Sequence, residues 1–68
     1  MMIKIILQDE DTEDYIGEYQ SIIIPRVGEL IGSTYEYYKV IDIRHNLSHK
    51  LEWQGATLQS VTLCVKAL

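Results

Sequence analysis

The stretch Ile22-Ile23-Ile24-Pro25-Arg26-Val27-Gly28-Glu29-Leu30-Ile31, followed by Tyr35, Tyr37-Tyr38 and Lys39-Val40-Ile41-Asp42-Ile43-Arg44-His45, decides the fold. It reads as strand, sharp corner, short strand, turn, strand. Proline cannot donate to a sheet ladder, so Pro25 ends the isoleucine run. Gly28, three residues on, supplies a turn position suited to positive φ. Glu29-Leu30-Ile31 is then a short strand, and Gly32-Ser33-Thr34 makes the next turn. Tyr37 to His45 is the clearest strand. Tyr38 and Val40 share a face, and strict alternation would place Asp42 and Arg44 on that face, beside the core. A one-residue bulge near Ile41-Asp42 would turn Ile43 and His45 inward instead. Bulges of this kind bend strands where small barrels close, and one is predicted here.

Working outward, Met2 to Gln8 is a strand candidate with Ile3, Ile5 and Leu7 on one face and Lys4, Ile6 and Gln8 on the other. Tyr15 to Ile24 is a second, with Gly17 as a bulge position. Residues 11–19 could instead form a short helix, because Tyr15, Ile16 and Tyr19 sit at helical spacing; Gly17 opposes that by about 1 kcal/mol relative to alanine. The final strand, Leu58 to Lys66, alternates cleanly, with Val61, Leu63 and Val65 against Ser60, Thr62, Cys64 and Lys66. Residues 46–57 admit two readings. Asn46 could cap a short helix ending at Gly55, or the segment could be a long hairpin turning near Gln54-Gly55.

Short strands with frequent turn signals and no long helical period argue for an all-β chain. At 68 residues the chain is one domain. The economical solution is a small five-stranded SH3-like barrel, with room for one short helix or helical turn, because closure removes adhesive strand edges.

Composition narrows the setting. Cys64 is the single cysteine, so no disulfide can form within the chain and a four-cysteine zinc site is excluded. The longest apolar runs are three residues, such as Ile5-Ile6-Leu7, against roughly 20 for a membrane helix. Met1-Met2-Ile3-Lys4 lacks the apolar core of a signal peptide. A cytoplasmic protein is expected. The net charge of −4 is unevenly placed. Asp9, Glu10, Asp11, Glu13, Asp14 and Glu18 fall in ten residues with no base, while the rest of the chain has six bases against four acids. The plain reading is a solvated acidic loop; the sharper one is a face that docks on a basic partner. The overall charge disfavours direct nucleic-acid binding.

Pro25-x-x-Gly28-Glu29, then Tyr38-x-Val40-x-x-Ile43-x-His45, then Val61-x-Leu63-x-Val65, form a pattern that resembles one in small reading frames of bacteriophages and other mobile elements. It covers about two-thirds of the chain, from Ile22 to Val65. The resemblance implies an SH3-like barrel and a phage setting. Phage proteins of this size include many inhibitors of host defence, which bind a defence protein or sequester its nucleotide signal.

No catalytic motif rises above chance. His45 and His49 have i, i+4 spacing, but His45 falls at a strand end, where that spacing carries no metal geometry; a hydrogen bond closing the barrel end suits it better. Ser48, His49 and Asp42 supply the residue types of a hydrolytic triad without a nucleophile elbow. No catalytic residue, metal or cofactor is expected. The aromatic set says more: five tyrosines and one tryptophan, with no phenylalanine. Such side chains suit half-wet surfaces. Arg26, Tyr37, Arg44, His45, Lys50 and Trp53 are the candidate residues for a partner or a small anionic ligand such as a nucleotide, with Trp53 as anchor and the bases receiving phosphate. Asp9, Glu10, Asp11, Glu13 and Asp14 are the candidate docking loop. Ile22, Ile23 and Ile24 cannot all point into one small barrel, which predicts a homo-oligomer interface.

Overall fold

The computed structural model describes residues 2–47 and 57–68. The chain is all-β, with strands β1 Ile3–Asp9, β2 Tyr15–Ser21, β3 Leu30–Gly32, β4 Tyr37–Leu47 and β5 Leu58–Ala67. They form one sheet in the order β2-β1-β5-β4-β3, curled into a half-barrel of SH3-like size. β1 and β5 lie parallel at its centre; the other neighbours are antiparallel. Sequence alternation had not indicated that parallel pairing, which joins the first and last strands.

The alternation of β5 delivers its predicted face. Val61, Leu63 and Val65 are fully buried and pack with Ile5, Leu7 and Val40. Ile3, Ile16, Tyr19, Ile24, Ile31, Tyr38 and Ile43 close around that cluster. A core of this size leaves a chain of 68 residues marginal in stability.

The predicted bulge is present in β4. Val40 pairs with Val65 and Asp42 with Cys64, so Ile41 is the extra residue. Downstream of it Ile43 pairs with Leu63 and joins the core, as expected. Asp42 Oδ1 accepts the amide of Ile43 at 2.8 Å and braces the kink. A second bulge lies in β2, where Leu7 pairs with Gly17 but Gln8 with Tyr15, leaving Ile16 as the extra residue, one position before the glycine.

One expectation is corrected and two alternatives fall away. Residues 11–19 are not a helix, since β2 occupies Tyr15–Ser21. Ile22 to Ile24 do not extend β2. Its partner β1 starts at Ile3, opposite Ser21, so the ladder runs out, and Ser21 Oγ accepts the amide of Ile23 at 3.0 Å to start a turn. Asn46 caps no helix; it lies within β4 and its amide donates to Ser60 Oγ (3.0 Å) and Thr62 Oγ1 (2.8 Å). The choice between helix and hairpin for residues 46–57 otherwise falls on residues outside the described ones. β4 and β5 pair directly as far as Leu47 opposite Leu58.

Candidate functional site

The sheet has two outer strands, β2 and β3, and they do not pair with each other. Their free edges bound a seam along the half-barrel. Residues 22–29 cross this opening from the end of β2 to the start of β3. Ile24 reaches the core, while Ile22 and Ile23 stay 69% and 70% exposed. The crossing is anchored at its far end. Gly28, at φ 92°, donates its amide to Val40 O at 2.8 Å, and the Val40 amide donates to Glu29 O at 2.9 Å. Glu29 Oε1 accepts the Arg26 amide at 2.5 Å, tightening the corner. The positive φ at Gly28 is what its position after Pro25 had suggested.

Between the crossing and the two edges lies a cleft of about 750 Å³. Leu7, Tyr19, Ile23, Pro25, Leu30 and Ile31 supply its apolar walls. Clefts of roughly 300–1,000 Å³ with mostly apolar walls are the usual size of ligand sites. Among the described residues that line it, Glu29 is the one that is charged. Burial raises the Tyr19 phenol above its ordinary value.

The β3 edge has a definite polarity. Val40 directs its backbone amide to Glu29, and Ile31 pairs with Tyr38. Alternation along the strand therefore turns the backbone groups of Leu30 and Gly32 away from β4, toward the seam. No described strand receives them.

Carboxylates gather around the seam. Glu36 accepts the hydroxyl of Tyr38, which stands opposite Ile31. That bond, partial burial and the charges of Glu36 and Asp9 raise the Tyr38 phenol above its ordinary value. On β2, Glu18 accepts the Tyr15 hydroxyl at 2.9 Å and meets Lys4 at 3.6 Å. The Tyr15 phenol is raised in turn, chiefly by that hydrogen bond. The acidic loop is a built turn. Asp9 Oδ1 accepts the amides of Asp11 (2.8 Å) and Thr12 (3.0 Å), and Glu13 takes a positive φ of 62°. The Thr12 and Asp11 amides hold the Asp9 carboxyl below its usual value of 3.8. Glu10, Asp11, Glu13 and Asp14 form no ion pair with a described base.

The predicted ligand residues are spread out. Tyr37 lies at the start of β4 and Arg44 seven residues on, roughly 23 Å away at 3.3 Å per residue. Arg44 and His45 are consecutive in a strand and so point to opposite faces. Arg44 donates to Gln8 Oε1 at 3.2 Å. His45 stands opposite Val61, on the core side, yet is exposed, and its imidazole forms no hydrogen bond among the described residues. Arg26 is exposed on the crossing. Lys50, Trp53 and His49 lie outside the described residues. Among those described, no three of His, Cys, Asp or Glu cluster as metal ligands, and no helix is long and apolar enough to cross a membrane.

Sequence reasoning missed Tyr19, Ile23, Leu30 and Ile31 as site residues, because it treated exposed isoleucines as a surface rather than as the wall of a cleft. The signal available was the crossing itself: three isoleucines and a proline in a segment too long for the strand it follows. No family model matches the chain, and no curated protein or solved structure matches it either.

Proposed function

We propose that this chain is a non-enzymatic binding protein that takes an extended segment of a partner protein into the seam between β2 and β3. One observation carries the reading: an apolar cleft is bounded on both sides by strand edges that have no partner strand among the described residues. An added strand satisfies such edges through main-chain hydrogen bonds, while alternate side chains fill the cleft. The likeness to mobile-element proteins supports a host defence protein as that partner. A nucleotide held by the aromatic and basic set has less support, since the described members of that set lie on separate faces.

The test is co-purification of the tagged full chain with proteins of its host, followed by reconstitution from purified components. Leu30→Lys and Ile23→Lys change exposed side chains, so both variants should fold. The reading expects a partner that binds the unaltered chain and neither variant. A partner indifferent to both substitutions would overturn it. So would a nucleotide that raises the melting temperature equally in all three chains, since a ligand specific to the folded state stabilises it wherever it binds.

A further inference from the structure

Resting on that reading, we infer that the segment the seam accepts is a cationic strand in which basic residues alternate with apolar ones. The alternation follows from geometry. Successive side chains of an added strand point to opposite faces, so one set enters the cleft and the other stays outside. The inward set meets Leu7, Tyr19, Ile23 and Ile31 and must be apolar. The outward set of a strand laid along β2 stands beside Glu18 and Gln20, which pair opposite Ile6 and Lys4.

Charge selects the sign. Glu18, Glu29 and Glu36 flank the seam, and the acidic turn 9–14 opens directly into β2. Arg26 is the single base on the crossing. Lys4, opposite Gln20, pairs with Glu18, and Lys39 stands opposite Leu30, so these two bases offset part of that charge. Arg44 and Lys66 lie on the β4–β5 side, and the five carboxylates of turn 9–14 leave the surroundings of the seam net negative. Carboxylates around an entry site draw a cationic partner and penalise an anionic one.

The same bookkeeping weighs against a second copy as occupant. Among the described strands, the free edges a second copy could offer are Tyr15–Ser21 and Leu30–Gly32, and neither contains a base. Pairing β2 with β2 would set Glu18 near Glu18, and like charges on adjacent strands are destabilising.

The experiment is an amide-resolved NMR titration of the isotope-labelled full chain. The probes are a short blocked peptide alternating lysine and valine, its twin alternating glutamate and valine, and a peptide of the same lysines and valines in two blocks. The expected result is shifts at β2 and β3 with the alternating lysine peptide, about tenfold tighter than with its glutamate twin, which corresponds to about 1.4 kcal/mol. The difference should shrink from about 0.1 M to about 1 M salt as screening shortens. Equal binding of the two twins at the seam would overturn the cationic assignment and leave the proposed function standing. Equal binding of the blocked-sequence lysine peptide would reduce the effect to loose charge attraction and overturn strand addition. Concentration-dependent shifts at β2 and β3 without peptide would assign the seam to a second copy. Leu30→Lys should abolish the shifts while keeping the spectrum of the folded chain.

Discussion

Gly32 on β3 lies under the ring of Tyr37 on β4: a Cβ on the glycine would stand 2.6 Å from Cε1 and 2.9 Å from Cδ1 of the tyrosine. The pair is directly cross-strand, and the ring covers the gap that the missing side chain leaves at the sheet edge. Tyr37 is therefore a support of the seam's rim before it is a candidate ligand residue.

Gly32→Ala should destabilise the chain by about 1–3 kcal/mol, as overpacking does. Tyr37 is more than half exposed, so its ring can swing aside, and the low end of that range is expected. In a Tyr37→Ala background the added methyl is relieved of its three nearest contacts, all of them atoms of that ring. A double-mutant cycle by denaturant unfolding should then show a coupling of at least about 0.5 kcal/mol. An additive pair would mean that the ring does not rest on the glycine.

Asn46 ties two buried hydroxyls together, those of Ser60 and Thr62. Asn46→Ala removes the donor to both and leaves them enclosed, which costs about 1–3 kcal/mol. Urea unfolding measures this. A change below about 0.5 kcal/mol would indicate that the hydroxyls find other partners.

The Ile41 bulge was legible in the sequence because Val40 and Ile43 are three apart in an otherwise strict alternation, and only an extra residue puts both inward. Gly28 was legible for a similar reason, a glycine three residues after a proline. What was not legible is non-local. Nothing in Ile3–Asp9 says that it lies parallel to Leu58–Ala67, and nothing in Ile22-Ile23-Ile24 says that β1 is too short to pair with it. The candidate residues fared worst, because charge and aromaticity mark a side chain as available without saying which face it occupies. Arg44 and His45 are adjacent in sequence and opposed across the sheet.

Asp42→Ala should loosen the kink at Ile43 by removing the carboxylate that holds its amide. A net hydrogen bond of this kind contributes about 1 kcal/mol. Thermal unfolding should register the loss, and the Ile43 amide should exchange faster. An unchanged Ile43 exchange rate would place the bend's support in packing alone.

The acidic turn predicts a pH dependence. The Asp9 carboxyl is held below 3.8 by the Thr12 and Asp11 amides. A group whose folded value is depressed contributes stability that is present above its unfolded value and is lost as pH falls through the folded one. Asp9→Asn keeps an acceptor oxygen but does not titrate. Its stability curve should therefore be flatter than that of the unaltered chain below about pH 4. Parallel curves in that window would show that the turn does not depend on the ionised carboxylate.

The most direct test of the open seam is amide hydrogen exchange on the full chain, alone and with the alternating lysine–valine peptide. In the free chain, Val61, Leu63 and Val65 should exchange slowly, while Leu30 and Gly32, whose amides face away from β4, should exchange as unprotected groups. Adding the peptide should slow Leu30 and Gly32 together with the β2 edge. Protection of Leu30 and Gly32 in the free chain, or no change on adding peptide at saturating concentration, would contradict a strand-accepting seam.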